Sequence, residues 1–294
     1  MHPTARRAAD DVLTGSREPV PVRCYDPPVA AAGALAPTLV WLHGGAFLAG
    51  GLGGPESDAF ARALAARGVR VVAVDYPLAP LLSAGWPSPR RSVSGVPRER
   101  FPGQVHDVSA VLARVRATCA GPLLLGGASA GACLAAGTAL AATTAAADGA
   151  PRIDGAVLAY GFFHARLPPR PRALRAKLRG RRRFTHTRWP VLAVNLNYTG
   201  SRALLDDPAA FPGGHRLTGF PPTLLLDAER DGMRASSGPF AADLAAAGVP
   251  LEHRVLPGAV HGFLGRPRER DFGVGVEVVA RWSRSLAGCA SPPA

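Results

Sequence analysis

The chain has 294 residues, 47% of them hydrophobic, and a net charge of +13 from 34 Lys or Arg against 21 Asp or Glu. No apolar run approaches the roughly 20 residues that span a bilayer, and the N-terminal residues lack a secretory pattern, so we expect a cytoplasmic protein without a membrane span. Four cysteines without metal-ligand spacing predict neither a disulfide scaffold nor a metal site.

Most of the positive charge lies in one stretch of the sequence. Residues 166–188, the basic insert, contain ten Lys or Arg and no acidic residue, which leaves a net +3 for the remainder. The insert is short and broken by three prolines, so it does not resemble a nucleic-acid-binding domain and we expect no nucleic-acid partner. A solvated flap is the first interpretation, and a surface that attracts an acidic partner is the alternative.

The predicted strands begin near the N-terminus. Val20, Val22 and Cys24 alternate with polar or proline positions, which predicts a half-buried antiparallel strand. Fully apolar runs further along predict strands that are covered on both faces, at 38–42, 69–74, 123–125, 156–160 and 223–226. Residues 251–256 form the last predicted strand.

Helical patterns separate these strands. They predict a helix from Ser57 to a stop at Gly68, a second with an apolar face between Val105 and Val115, and a third of small residues over 130–147. The alternation of strands and helices predicts a doubly wound, mostly parallel sheet. Two segments, at 81–100 and 162–215, show neither the helical nor the strand periodicity of apolar residues. Both are predicted to be insertions. The second is placed where a lid over a substrate pocket would be inserted, with a disordered loop as the alternative.

A serine stands between glycines where a predicted strand meets a predicted helix, in Gly127-Ala128-Ser129-Ala130-Gly131. Glycines at such a sharp turn remove side chains that would clash, so the serine oxygen is exposed above the sheet. Ser129 is therefore a candidate nucleophile. A second motif, His43-Gly44-Gly45-Ala46-Phe47, follows the apolar run at 38–42 and is similar to the loop that supplies oxyanion-hole amides in esterases and lipases.

A serine hydroxyl is a weak nucleophile at neutral pH and needs a histidine base and a carboxylate that orients the base. His261 is the strongest candidate base, because it lies in the loop that leaves the last predicted strand, and His164 is a weaker one. The acid should follow a strand between the serine and the histidine. The local pattern does not distinguish three such residues: Asp227, Glu229 and Asp231.

These motifs resemble the hormone-sensitive-lipase-like family of α/β-hydrolases, the bacterial carboxylesterases with an HGGG-type loop. The resemblance extends from about Val20 to Ala287. Besides the two motifs above it includes Asp75-Tyr76-Pro77-Leu78-Ala79-Pro80, Ala228-Glu229-Arg230-Asp231 and His261-Gly262-Phe263. It implies one α/β-hydrolase domain over residues 1–294, with a lid at about 162–215.

The resemblance also implies roles for individual residues. Ser129 corresponds to the nucleophile, Asp231 to the orienting acid and His261 to the base. The oxyanion hole would use the backbone amides of Gly44, Gly45 and Ala130. The implied activity is hydrolysis of small-molecule acyl esters through an acyl-enzyme, without a metal or an organic cofactor. Four aromatic residues are candidates for the acyl pocket, with a place in the core as the alternative: Phe47, Trp86, Phe162 and Phe163.

Three other functions fit the same residues. An arylformamidase-like amidase would use the same triad on an amide. A secondary-metabolite tailoring enzyme would act as a lactone hydrolase or acyltransferase, and its basic insert would contact an acidic carrier protein. A non-catalytic ligand-binding relative is the third, and the presence of serine, histidine and acid together argues against it.

Overall fold

The structure is a computed structural model that describes residues 8–16, 18–28, 35–80, 91–92 and 95–288. Eight strands within these residues form one sheet: β1 (Ala9–Thr14), β2 (Pro19–Tyr25), β3 (Thr38–Leu42), β4 (Arg70–Val74), β5 (Leu123–Ala128), β6 (Gly155–Ala159), β7 (Thr223–Ala228) and β8 (Leu251–Leu256). Their order in the sheet is β1-β2-β4-β3-β5-β6-β7-β8. Strand β2 is antiparallel to both of its neighbours, β1 and β4. The six strands from β3 to β8 run parallel to one another.

The central strands are apolar at almost every position because the sheet is covered on both faces. All five residues of β3 and all six of β5 are buried. Alternate side chains point to opposite faces, so Val40 and Leu42 join one hydrophobic cluster while Leu39 and Trp41 join the other. In register, Leu42 pairs with Val74 on one side and with Gly127 on the other. The carboxyl ends of these strands therefore meet at one edge of the sheet, where parallel sheets place their sites.

Helices form the two outer layers. The helices are α1 (Asp58–Ala65), α2 (Gly103–Arg116), α3 (Ala130–Thr144), α4 (Arg172–Lys177), α5 (Arg188–Thr199), α6 (Arg234–Ala246) and α7 (Arg270–Gly288). Helices α1 and α7 pack on one face of the sheet, and α2, α3 and α6 pack on the other. Helices α4 and α5 belong to the long segment between β6 and β7. None of the described helices has the length and apolarity needed to cross a membrane.

Helix α3 approaches the sheet more closely than side chains would permit. A Cβ on Gly131 would lie 2.2 Å from the Leu42 carbonyl oxygen and 2.4 Å from that of His43. A Cβ on Gly127 would lie 2.4 Å from the backbone of Gly131. Backbone atoms cannot move aside as a flexible side chain can, so both positions require glycine. The small residues of this helix have a packing function.

The predicted doubly wound, mostly parallel sheet with helices on both faces is confirmed, and each predicted strand overlaps an observed one. The edge strand β1 was not predicted, because its first four residues, Ala9, Asp10, Asp11 and Val12, are exposed. The predicted insertion at 162–215 has no helical periodicity in its sequence, yet it contains α4 and α5. Helix α5 buries Asn195, whose amide donates to the Ala165 carbonyl at 2.8 Å, so its buried face mixes polar residues with Val191 and Tyr198.

We expect Gly131→Ala to lower the free energy of unfolding by about 3 kcal/mol, because the added methyl group has no space against two carbonyl oxygens. Gly273→Ala is the matched control, since it lies in α7 and, apart from the backbone of its own helix, no described atom lies within 4 Å of the position of the new methyl group. The control should stabilise by about 0.5–1 kcal/mol, the normal gain in a helix. Urea denaturation measures both, and equal effects at the two positions would contradict the close approach.

Candidate active site

Ser129 lies between β5 and α3, at the carboxyl edge of the sheet. Its backbone has φ +54° and ψ −116°, a conformation that residues with side chains rarely adopt. Its amide donates to the Ala159 carbonyl at 2.9 Å, and its own carbonyl accepts from Ala132 and Cys133 in the first turn of α3. The turn is therefore held by both neighbouring elements, and the strained serine remains at its tip.

Two residues that are remote in sequence, His261 and Asp231, form a chain of hydrogen bonds with this serine, called the hydrogen-bonded row below. His261 follows β8, and its Nε2 lies 3.0 Å from Ser129 Oγ. Its Nδ1 lies 2.6 Å from Oδ2 of Asp231, which follows β7. With Nδ1 protonated, the imidazole donates to the carboxylate and accepts from the serine hydroxyl. The structure thus brings together Ser129, His261 and Asp231 in the order that hydroxyl activation requires.

The charges of this row stabilise one another. Burial raises the pKa of the Asp231 carboxyl, but His261 and His186 beside it outweigh that effect and hold the pKa well below its usual range. Burial lowers the pKa of the His261 imidazole, and the neighbouring Asp231 carboxylate outweighs it and raises the pKa above the usual value. The carboxylate is therefore ionised at neutral pH, and it favours a positive charge on His261.

The other candidate acids have different partners. Asp227 Oδ2 accepts from the Ser237 hydroxyl at 2.5 Å and lies 2.9 Å from His253 Nε2. Glu229 accepts from the Gly258 amide and pairs with Lys177 at 2.8 Å. Neither acid has a recorded hydrogen bond with His261 in the described part of the chain.

The weaker candidate base also lies elsewhere. His164 Nδ1 contacts the hydroxyl of Ser236 at 2.9 Å. That hydroxyl also accepts from the backbone amides of Phe163 and His164. Ser236 therefore fastens the start of the insertion to α6.

The loop after β3 has an unusual backbone beside Ser129. Gly45, Ala46 and Phe47 have φ of +125°, +55° and +60° in succession, and a Cβ on Gly45 would lie 1.9 Å from the Ala49 carbonyl oxygen. The amides of Leu48 and Ala49 both donate to the Gly45 carbonyl at 3.0 Å, which closes the loop on itself. Gly45 and Ala46 line a cavity together with Ser129.

Gly44 does not fit the role that the resemblance implies for it. Its amide donates to Glu56 Oε2 at 2.7 Å, so this N–H is already paired. The same carboxylate accepts from the Tyr160 hydroxyl through Oε1 at 2.5 Å. The expectation that Gly44 supplies a free oxyanion donor is therefore wrong in this arrangement. Glu56 gave no sequence signal, because it lies outside the motif, 12 residues after the Gly44 amide that it accepts from.

The cavity beside Ser129 has a volume of about 400 Å³. Its wall is mainly apolar and includes Phe162, Val191, Val194 and Met233. Of the other aromatic candidates, Phe47 and Phe163 are fully buried. Phe47 stacks on Tyr198 at 3.9 Å between ring centroids and Phe163 on Phe240 at 4.2 Å, so both are core contacts. Trp86 lies outside the described residues.

A second histidine on Asp231 was not predicted. His186 Nδ1 lies 3.1 Å from Asp231 Oδ1, and its ring centroid lies 4.2 Å from that of His261. The Met233 amide donates to the same Oδ1 at 3.0 Å. In the sequence, His186 is only one residue of the basic insert, placed between arginines. Its backbone has a φ of +51°, and its side chain points inward to Asp231.

These three groups also have the composition of a metal-binding set. The candidate ligand atoms of His186, Asp231 and His261 all lie within 4.8 Å of one another. Two imidazole nitrogens and a carboxylate oxygen would suit Zn²⁺. An ion there would take the Nδ1 positions that hold protons in the hydrogen-bonded row, so it would compete with the arrangement described above.

Comparison with known proteins agrees with this geometry. A family model described as the alpha/beta hydrolase fold matches residues 39–84 and 95–265. The chain belongs to the alpha/beta hydrolase fold family. Esterase LipI of Mycobacterium tuberculosis is 28% identical to this hydrolase over 276 residues, which cover 90% of this chain and 77% of LipI.

Solved structures of esterases have the same fold. The hyperthermophilic esterase of the archaeon Pyrobaculum calidifontis is 27% identical, with a TM-score of 0.76 over 99% of this hydrolase and 88% of that chain. Esterase LipW of Mycobacterium marinum is 29% identical, with a TM-score of 0.70 over 97% of this hydrolase and 82% of that chain.

We expect the pKa of His261 in this hydrolase to lie above 6.5, the ordinary value for histidine, because Asp231 favours its charged form. In Asp231→Asn the carboxylate is lost while burial remains, so the pKa of His261 should be lower than in the wild type. Asp227→Asn is the control and should leave the His261 pKa unchanged. NMR titration of the imidazole Cε1 proton measures each variant, and a pKa that responds to Asp227 instead would reverse the assignment of the acid.

Proposed function

We propose that this chain is a serine carboxylic-ester hydrolase that acts on small acyl esters. The observation that carries the proposal is the position of His261, whose two ring nitrogens contact Ser129 Oγ at 3.0 Å and Asp231 Oδ2 at 2.6 Å. The comparisons support the same reaction, because LipI, LipW and the Pyrobaculum enzyme are all named as esterases.

In the first step, Ser129 Oγ attacks the ester carbonyl carbon while its proton moves to His261 Nε2. The imidazolium that forms is stabilised by Asp231, which is ionised and almost fully buried. The tetrahedral intermediate then collapses. His261 returns the proton to the departing alkoxide, the alcohol leaves, and the acyl group remains on Ser129 as an ester.

The second step repeats this chemistry with water as the nucleophile. His261 takes a proton from water as the water oxygen attacks the acyl carbon, and the Ser129 oxygen departs with that proton. The products are the carboxylic acid and the free serine. All proton transfers pass through His261 Nε2, so the reaction requires the neutral imidazole at the start of each half.

The oxyanion of each intermediate needs backbone donors that are not already paired. Because the Gly44 amide is bonded to Glu56, we assign this role to the amides of Gly45, Ala46 and Ala130. Gly45 and Ala46 line the cavity beside Ser129. Ala130 is the first residue of α3, where helix amides have no intrahelical partner and the helix dipole favours negative charge.

His186 acts in this proposal as a positioning residue for the acid. It donates to Oδ1 while His261 donates to Oδ2, so the two histidines fix the plane of the Asp231 carboxylate from opposite oxygens. A carboxylate that is held on both oxygens keeps the His261 ring aligned with Ser129.

Loss of the nucleophile tests the reaction directly. Ser129→Ala should lower kcat/KM for p-nitrophenyl acetate by at least about 10⁴-fold and should abolish labelling by a fluorophosphonate probe. Ser236→Ala is the matched control, because Ser236 also contacts a histidine, at 2.9 Å, yet lies outside the proposed row. It should retain labelling. If Ser129→Ala is labelled as well as the wild type, the assigned nucleophile is wrong.

The size of the cavity predicts a preference for short acyl chains. Val194→Phe should reduce kcat/KM for p-nitrophenyl octanoate about 10-fold more than for the acetate, because the ring fills part of the 400 Å³ cavity. Ala193→Phe adds the same ring one residue away on α5, at an exposed position, and should change neither value. Equal effects of the two variants would show that Val194 does not contact the acyl chain.

A further inference from the structure

The outer side of the basic insert combines unpaired positive charge with exposed aromatic rings. Within the described chain, no ion pair to a carboxylate is recorded for five exposed arginines: Arg179, Arg181, Arg182, Arg183 and Arg188. Phe184 is 74% exposed and Trp189 is 68% exposed, in the same eleven-residue stretch. Two exposed aromatic rings among these arginines give the stretch both apolar and positively charged surface.

This arginine-aromatic loop, residues 179–189, has a fixed base. Arg170 donates to the carbonyls of Arg183 at 2.7 Å, Thr185 at 2.6 Å and His186 at 3.0 Å. Leu174 and Leu178 are buried against the body of the protein. Lys177 pairs with Glu229. The insert is thus attached by its inner side, and its arginines and two aromatic rings remain directed outward.

The loop also borders the cavity of the candidate site. His186 and Pro190 line that cavity, and His186 contacts Asp231. Arg188 lies over the Trp189 ring, with its guanidinium carbon 5.1 Å from the ring centroid. A partner that covers the arginines and the two rings would therefore lie beside the entrance used by a substrate.

We propose that the arginine-aromatic loop docks on an anionic lipid surface. Such a surface matches both chemistries of the loop, because negative headgroups attract arginine while the interfacial region accepts the rings of Trp and Phe. An acidic protein would match the charge, but it would not require two large apolar side chains held in solvent. Docking would place the cavity against the bilayer, where apolar esters concentrate. The binding step is independent of the proposed hydrolysis.

The test uses the full chain carrying Ser129→Ala, so that lipids stay intact and catalysis does not affect the result. Its dissociation constant is measured by co-sedimentation with phosphatidylcholine vesicles that contain 0 or 40% phosphatidylglycerol. We expect binding only to the anionic vesicles, weakened by added salt. Arg181→Glu, Arg182→Glu and Arg183→Glu together should weaken it at least about 100-fold, since each basic residue near a charged membrane contributes about 5-fold.

The matched control carries Arg114→Glu, Arg268→Glu and Arg281→Glu, which are exposed arginines outside residues 179–189. This variant has the same net charge and should bind within about 3-fold of the parent. Equal losses in both triple variants would mean that binding follows net charge, and the docking site would be refuted. Thermal melting curves verify that both variants are folded.

Tryptophan emission tests the contribution of the aromatic rings. Vesicle binding should shift the emission to shorter wavelength, and Trp189→Phe should remove that shift while leaving the dissociation constant within about 3-fold. Phe184→Ser with Trp189→Ser should weaken binding about 10-fold. The lipid proposal would be overturned if the protein bound heparin or polyglutamate as tightly as the vesicles and if neither aromatic substitution changed that affinity. That result would indicate a soluble acidic partner.

Discussion

A close approach between backbone segments determines where Ser129, the candidate nucleophile, lies. Helix α3 reaches the end of β3 so closely that a Cβ on Gly131 would overlap the carbonyl oxygens of Leu42 and His43. This close approach joins the turn that carries Ser129 to the loop that begins at His43. The Tyr76 hydroxyl donates to the same His43 carbonyl at 2.8 Å, which holds the loop from a second direction. The serine and the neighbouring loop amides are therefore positioned together, as preorganised stabilisation of an oxyanion requires.

The second requirement is a buried charge with enough partners. An isolated buried carboxylate would take up a proton, because its ionised form has lost water. Asp231 instead receives hydrogen bonds from His261, His186 and the Met233 amide. These donors come from three separate segments, so the ionised state of the acid depends on the tertiary fold. Disturbing the insertion therefore alters the electrostatics of the site.

Local patterns in the sequence were sufficient to locate seven of the eight described strands and to identify Ser129 and His261 as candidates. Apolar runs identify strands in a sheet covered on both faces, and strand ends indicate where Ser129 and His261 meet. The choice of Asp231 over Asp227 came from resemblance, since both follow the same strand. The pairing of Gly44 with Glu56 depends on a tertiary contact. The contact of His186 with Asp231 depends on one residue that turns inward among exposed arginines. Neither contact leaves a periodic pattern in the sequence.

The distribution of charge connects the insertion to the site energetically. In the body, arginines such as Arg116 pair with acids, here Asp154 at 3.0 Å. In the arginine-aromatic loop, neighbouring arginines repel one another, and the hydrogen bonds of Arg170 to the loop carbonyls must offset that repulsion. An anionic surface would relieve the repulsion and stabilise the loop conformation that directs His186 to Asp231. Because such coupling is reciprocal, an occupied active site that favours this conformation would strengthen surface binding by the same factor.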